Sequence, residues 1–116
     1  MTTATLDQAQ VNAIVVEAMI EARKAAEAAE AALAKYGDRD ACGFAWTNIY
    51  KVKGNTKLGK MLKAAGVRQD YTKAFQLWNP SKMPVQSVGI LEAGAQAAAD
   101  VFRKYGFEAY AGSRLD

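Results

Sequence analysis

The first third of the chain, from Thr5 to Tyr36, has the pattern of one long helix with a seam of small residues. Apolar residues recur there at alternating steps of four and three, which is the spacing of a heptad stripe. They are Val11, Val15, Ala18, Ala22, Ala25, Ala29, Ala32 and Tyr36. Such a helix measures about 46 Å, whereas a compact chain of this size is about 35 Å across. The pattern therefore predicts a helix that extends beyond its own domain and pairs with a second copy through the alanine seam.

The ends of this helix and the size of the chain define the domain organisation. Thr5 and Gln8 have the spacing of an N-terminal capping box, and Gly37 is the residue type expected at the C-terminal cap. A chain of 116 residues can build one core. We therefore predict a single domain, in which residues 1–40 form an oligomerisation helix and residues 41–116 form a compact α+β unit.

The remainder of the chain alternates between strand and helix patterns. Residues 42–50 alternate as a strand does, with Phe44, Trp46, Asn48 and Tyr50 on one face. Helices are predicted over 56–65 and 90–105, and strands over 74–78 and 107–111, with a short strand also allowed over 85–88 and a polar tail after 111. This order predicts an α+β fold, in which the long N-terminal helix precedes a small mixed sheet and two further helices. Phe44 and Phe75 are expected in the core.

Charge is distributed unevenly along the chain, although the net charge is only +3. Residues 1–40 carry seven acids and four bases, which gives −3, and residues 41–116 carry five acids and eleven bases, which gives +6. Between Lys51 and Lys82, eight bases face the single acid Asp70. Such a segment favours anionic partners, although lysines on a short helix are also commonly a solvated face.

A sequence within this basic segment has the spacing of a phosphate-binding loop. Residues 54–61, GNTKLGKM, match G-x-x-x-x-G-K, but Met61 replaces the hydroxyl residue that would bind magnesium. The helix signals begin near Thr56, which places Gly59 inside the helix. A nucleotide-hydrolysing loop is therefore not predicted, and the weaker hypothesis is that Lys57 and Lys60 hold a phosphate at the start of the helix.

Aromatic residues interleaved with the bases suggest a surface on which a base stacks while cations bind phosphate. The turn WNPS adds an indole and an amide that could recognise a base edge, although such a sequence is also an ordinary turn. The candidate ligand-binding residues are Trp46, Asn48, Tyr50, Lys57, Lys60, Trp78, Asn79, Ser81 and Arg114. The alternative for the tryptophans is burial in the core.

The sequence offers little for catalysis or for membrane insertion. It contains no histidine, and its single cysteine, Cys42, has neither a disulfide partner nor an imidazole partner. The acids lack metal-ligand spacing. No apolar run reaches the roughly 18 residues of a membrane span, and no secretory signal is recognisable. We therefore predict no enzymatic activity, no metal or cofactor, no membrane partner and a location inside a cell.

Several segments from Cys42 onward, about two thirds of the chain, resemble a family of small proteins encoded by tailed bacteriophages. They are CGFAW, GNTKLGK, LWNPS, EAGAQAAADVFRKYG and YAGSRLD. The resemblance implies a phage origin, and hence the cytoplasm of a host cell, but it assigns no role to any residue.

The leading hypothesis is a non-enzymatic host-takeover protein, oligomeric through its first helix, that sequesters a small nucleotide-type immune signal in a basic aromatic pocket. Two alternatives stay open. One is a nucleic-acid-binding accessory protein that uses the same surface as an open stripe, and the other is a structural or decoration protein of the virion. An enclosed pocket would favour the leading hypothesis over the nucleic-acid-binding alternative.

Overall fold

The chain folds into three helices and one four-stranded sheet over residues 5–35 and 40–116, which the computed structural model describes. The elements in chain order are α1 (Gln8–Ala34), β1 (Gly43–Tyr50), α2 (Lys57–Ala64), β2 (Arg68–Gln69), β3 (Phe75–Trp78), α3 (Val88–Lys104) and β4 (Glu108–Leu115). The predicted α+β class, with a long first helix and two further helices, is confirmed.

The sheet is antiparallel at every strand pair, and the prediction of a mixed sheet is wrong. Its strand order is β2-β3-β1-β4. β3 and β4, which α3 connects, do run in the same direction, as a strand–helix–strand connection predicts. β1 lies between them, however, so the two parallel strands are not neighbours.

Helix α1 begins two residues later than the predicted capping box. Asp7 is the N-cap, and its carboxylate accepts a hydrogen bond from the Gln10 amide at 2.8 Å. The Gln10 side chain accepts one from the Asp7 amide at 2.8 Å, which completes the box. The helix ends at Ala34, and the predicted cap Gly37 lies outside the described residues, as does Tyr36.

The alanine seam of α1 packs against α3 of the same chain. Its residues Val11, Val15, Ala18 and Ala22 are buried in one cluster with Phe102. The helices approach closely, because a Cβ added at Gly94 would lie 3.2 Å from the Ala22 carbonyl oxygen. Further along the seam, Ala25 and Ala29 are half-buried and Ala32 is exposed.

The length of α1 is matched by the length of the molecule. A helix of 27 residues measures about 40 Å, and the molecule measures 47 × 27 × 19 Å. Near the C-terminal end of the helix, Ala29 and Leu33 still pack against the core cluster that contains Ile90 and Leu91 of α3. The helix therefore does not extend beyond its own domain, and that prediction is wrong. Self-association stays a prediction, but it can no longer be argued from an overhanging helix with an unfilled seam.

The two faces of the sheet differ in what covers them. Ala45, Thr47 and Ile49 point inward, and the Thr47 hydroxyl donates a hydrogen bond to the Ala95 carbonyl of α3 at 2.8 Å. Phe75 is in the core, as predicted, whereas Phe44 lies on the outer face and is 41% exposed. The prediction for Phe44 is wrong because the alanine-rich helices pack on the face of β1 that has the smaller side chains.

Strand β4 includes most of the segment predicted to be a polar tail. Its eight residues pair with all eight residues of β1, from Tyr50 opposite Glu108 to Gly43 opposite Leu115. The long free side of β1 thus provides hydrogen-bond partners to residues whose own pattern is weakly strand-like. Instead of the short strand allowed over 85–88, Ser87 forms an isolated bridge with Cys42 and caps α3.

Candidate functional site

A group of aromatic side chains occupies the outer face of the sheet, opposite the helices. We call it the aromatic platform, and its members are Phe44, Trp46, Tyr50, Trp78 and Tyr110. Apart from the half-buried Trp46, their exposed fractions lie between 38% and 51%. A contiguous exposed apolar surface of this kind commonly marks an interaction site.

Two tryptophans form the centre of the platform. Trp46 and Trp78 are directly opposite each other in the register of β1 and β3, and their ring centroids are 4.9 Å apart. On the other side of Trp46, a Cβ added at Gly112 would lie 2.6 Å from its Nε1 atom. The Trp46 indole therefore lies directly over the backbone of β4, in space that glycine leaves free.

Hydrogen bonds hold both indoles in place. The Trp46 Nε1–H donates to Asn48 Oδ1 at 3.1 Å, and the Trp78 Nε1–H donates to Gln76 Oε1 at 3.2 Å. Gln76, opposite Asn48 in the register, donates from Nε2 to the same Asn48 oxygen at 3.2 Å. Because the rings are already oriented, a ligand that stacks on them loses less entropy in ordering them.

Two arginines lie against rings of the aromatic platform, and one of them, Arg103, is also ion-paired with Asp100. The Arg114 guanidinium lies 5.2 Å from the centroid of the Phe44 ring, and that of Arg103 lies 5.4 Å from the centroid of Tyr110. Arg103 also donates to the Ala109 carbonyl at 2.7 Å, which fixes its position. Guanidinium groups that lie on aromatic faces suit the recognition of phosphates beside stacked bases.

The structure brings five of the nine predicted site residues to this face. They are Trp46, Asn48, Tyr50, Trp78 and Arg114. Their common placement follows from the period of two along β1 and from the pairing of β1 with β3 and β4.

Lys57 and Lys60 lie elsewhere, exposed on α2. This helix buries Met61 and Leu62 in the core on the opposite side of the sheet. The two lysines therefore belong to a different face of the molecule from the platform, and the structure separates them from the aromatic residues with which they were grouped.

Asn79 and Ser81 have structural roles in the turn after β3. The Asn79 amide donates to the Met83 carbonyl at 3.3 Å, and its oxygen accepts from the Ser81 hydroxyl at 3.0 Å. Ser81 is only 2% exposed, and its hydroxyl accepts from the Met83 amide at 3.2 Å. Both side chains therefore stabilise the turn, but Asn79 also lines a cleft beside Trp78, and the assignment of these two residues to a ligand site stays a prediction.

The glycines of the phosphate-loop pattern are positions of close packing. A Cβ at Gly59 would overlap the Lys53 carbonyl oxygen, and one at Gly54 would overlap the Gln69 side chain. The Gly59 amide donates to the hydroxyl of the N-cap residue Thr56 at 3.1 Å. That amide is therefore already used within the helix cap and is not available to a phosphate.

Four residues of this surface were missing from the sequence-based site, namely Phe44, Gln76, Arg103 and Tyr110. Gln76 precedes Trp78 by two residues, and Tyr110, Gly112 and Arg114 follow one another at the same spacing. The alternation of these residues was thus visible in the sequence. It was not predicted, however, that the chain after Ala111 continues as a strand.

Asp70 connects the β2–β3 hairpin to this network. Its Oδ1 atom accepts hydrogen bonds from the Thr72 hydroxyl at 2.6 Å and from the Ala74 amide at 3.0 Å, and its Oδ2 atom accepts one from Gln76 at 3.3 Å. The Thr72 hydroxyl is the main cause that holds the pKa of Asp70 below its ordinary value of 3.8, with the amides of Ala74 and Thr72 adding to it.

This lowered pKa predicts an acid-sensitive hairpin. The carboxylate stabilises the fold above the ordinary pKa, and its contribution is lost as the pH falls through the lower, folded-state pKa. The stability difference between wild type and Asp70→Asn is expected to be largest at neutral pH and to shrink towards about pH 3. Urea unfolding at both pH values measures it. An equal difference at both would contradict the role of the Asp70 charge.

The chain was compared with protein-family models, curated proteins and solved structures, and none of them matches it. The resemblance to a phage family therefore stays a prediction. Within residues 5–35 and 40–116, no group of three or more Cys, Asp or Glu side chains is placed to hold a metal ion. In the same part of the chain, no helix is long and apolar enough to cross a membrane.

Proposed function

We propose that this protein binds single-stranded nucleic acid on its aromatic platform and catalyses no reaction there. The observation that carries the proposal is the indole pair Trp46–Trp78, fixed by hydrogen bonds on a sheet face that the helices leave open. Every base has a π face that can stack on an indole, and base–aromatic stacking contributes about 1–3 kcal/mol per base. The guanidinium groups of Arg114 and of Arg103, which is also paired with Asp100, lie beside platform rings and are the cations that we expect to bind phosphates of such a strand.

The dimensions of the platform favour a strand over a single nucleotide. From Phe44 to Tyr50 the platform follows six residue steps of β1, which is about 20 Å. Aromatic rings lie at both ends of this distance, since Phe44 contacts Trp78 and Tyr50 lies 6.1 Å from Tyr110. Several bases can therefore stack in succession, whereas duplex nucleic acid keeps its base faces inside the helix.

A second candidate is the sequestration of a small nucleotide-type signal, as in a phage host-takeover protein. One observation favours it: a cleft of about 220 Å³ at the Phe44 end of the platform, whose lining includes Trp78, Val85 and Leu91. This cleft would accept one base beside Trp78 and Asn79, but its lining also includes the carboxylate of Asp116 and no Lys or Arg, so phosphates would have to lie outside it. A phage origin, a location in the host cytoplasm and self-association belong to this candidate and remain predictions.

Binding measurements distinguish the two candidates. We expect wild-type protein to bind a fluorescent single strand of about twelve nucleotides, with a log–log salt slope near −0.7 for each phosphate contacted. Duplex of the same length should bind more weakly. Tight binding of a mononucleotide or cyclic dinucleotide, without gain in affinity or salt slope on longer strands, would favour the second candidate. Binding of neither class would contradict both, and would leave a protein partner for the platform.

A further inference from the structure

A second polar surface lies between the β1–α2 loop, helix α2 and the β2–β3 hairpin. It is a cleft of about 590 Å³ whose lining includes Lys53 from the loop, Lys63 from the helix and Lys73 from the hairpin. The side chains of Asn55 and Gln69 add amide groups, and no carboxylate belongs to the lining. We call it the lysine cleft. Its three cations come from separate segments, so the fold brings them together.

The cations of the lysine cleft differ from other lysines of the chain in their ion pairing. Within the described ranges 5–35 and 40–116, none of these three lysines forms an ion pair, whereas Lys51 pairs with Glu108 at 3.2 Å. The Lys63 ammonium instead lies 3.4 Å from the Gly54 carbonyl oxygen. Like charges around one cleft repel one another, and a bound anion would relieve that repulsion.

The hairpin side of the cleft is held in a defined conformation. Lys73 has a φ of 69°, in the left-handed region that lysine seldom adopts. Its amide donates to the Asp70 carbonyl at 2.9 Å, and its carbonyl accepts from Gln69 Nε2 at 2.9 Å. Two hydrogen bonds thus fix the backbone from which the Lys73 side chain reaches the cleft.

The strand register places the lysine cleft near one end of the aromatic platform. Gln69 pairs with Phe75, and Phe75 pairs with Ile49, the residue before Tyr50. Lys53 follows Tyr50 by three residues. Phe75 and Ile49 are buried on the helix-covered face, and residues directly opposite each other in a sheet share a face. The cleft therefore lies at the Tyr50 end of β1 but on the helix side of the sheet, and a nucleic-acid strand that leaves the platform must turn around this end of the sheet to reach it.

We propose that the lysine cleft binds the phosphates of single-stranded nucleic acid where the strand leaves the Tyr50 end of the platform, an inference that rests on the proposed function. Bases on the platform and phosphates in the cleft would then form two parts of one binding surface. Short strands would use only the first part, and longer strands would use both.

The test compares two triple variants with the same change in charge. Lys53→Gln, Lys63→Gln and Lys73→Gln remove the cleft cations, and the control Lys35→Gln, Lys57→Gln and Lys60→Gln removes three exposed lysines outside the cleft lining. We expect the cleft variant to bind an oligonucleotide of about twelve thymidines more weakly, with a salt slope smaller by about 2. A thymidine trimer should bind the cleft variant nearly as tightly as it binds wild type. The salt slope of the control variant should be closer to the wild-type slope than that of the cleft variant.

A second measurement separates failure of this inference from failure of the proposed function. Inorganic tripolyphosphate, titrated into ¹⁵N-labelled wild type, should shift the amide resonances of Lys53, Lys63 and Lys73, and should not do so in the cleft variant. A cleft variant with wild-type affinity and salt slope would overturn the inference while the platform remains. Wild type that binds tripolyphosphate at the cleft but no oligonucleotide would contradict the proposed function and assign the cleft to a small phosphate compound.

Discussion

Replacing Trp46 and Trp78 together with alanine is expected to weaken binding of a twelve-nucleotide single strand by about 30-fold or more. Each base–aromatic stack contributes about 1–3 kcal/mol, so the loss of two stacks is about 2–6 kcal/mol, and about 1.4 kcal/mol corresponds to a factor of ten. Anisotropy of a labelled oligonucleotide measures the affinity. Urea unfolding should show a loss of stability, because the aromatic pair contributes about 0.5–1.5 kcal/mol and the half-buried Trp46 also loses its buried area, so the affinities are compared under conditions in which both proteins are folded.

A matched control for this variant is Tyr71→Ala. Tyr71 is 96% exposed in the turn of the β2–β3 hairpin, outside the platform. Its loss should leave the affinity within about twofold, as for a surface residue without contacts to the ligand. If the tryptophan variant and this control bind equally well, stacking on the platform is not the mode of binding.

A third variant tests the orientation of the indoles without removing them. Gly112→Val places a side chain where the Trp46 ring now lies, because even a Cβ would come within 2.6 Å of its Nε1 atom. The ring must tilt away, and the hydrogen bond from Trp46 to Asn48 is expected to break. We expect a loss of affinity between those of the control and the double tryptophan variant.

The local pattern of the chain predicted most elements of the fold, because helix and strand periods are properties of neighbouring residues. The helix over 90–105 and the strand over 42–50 were each correct to within two residues at either end. The local pattern could not predict which face of each strand packs against the helices. β1 has an aromatic face and a small-residue face, and only the presence of two alanine-rich helices decides that the small one is buried.

The candidate site was predictable to the extent that it follows the period of two. Trp46, Asn48 and Tyr50 were grouped correctly because alternate residues of one strand share a face. Arg114 joins them only through the pairing of β4 with β1, in which it is opposite Phe44. Lys57 and Lys60 were grouped with the aromatics by proximity in sequence, and the fold places them on a helix that packs on the other side.

The lysine cleft could not be predicted from the sequence, because its cations are distant from one another along the chain. Lys53, Lys63 and Lys73 were visible only as members of a basic segment, since each lies ten positions from the next. Their convergence depends on how α2 and the β2–β3 hairpin fold back on the loop after β1. Charge counting along a sequence identifies such a segment, but the selection of three cations from eight is a tertiary property.

The seam of α1 provides the second large prediction, in which Ala22→Glu strongly destabilises the fold and does not merely alter its assembly. Ala22 is fully buried against α3, and Gly94 approaches its carbonyl oxygen. A glutamate there would bury a carboxylate without a partner, at a cost of about 3–5 kcal/mol or more. A chain of this length has a total stability of about 6–17 kcal/mol, so the midpoint of unfolding should fall steeply.

The matched control is Ala28→Glu, which introduces the same charge at an exposed position of α1. It should change stability by less than about 0.5 kcal/mol.

Circular dichroism in urea measures unfolding, and light scattering measures mass. Substitutions at Ala25 and Ala29 would affect both stability and association, because these residues are half-buried along the same seam. Ala22→Glu and Ala28→Glu separate the two effects. If Ala22→Glu keeps the wild-type midpoint and lowers only the mass, the seam faces a second copy of the chain, and α3 is not its partner. A large loss of stability in Ala22→Glu beside an unchanged Ala28→Glu would instead show that the small residues of α1 pack in the core of their own chain.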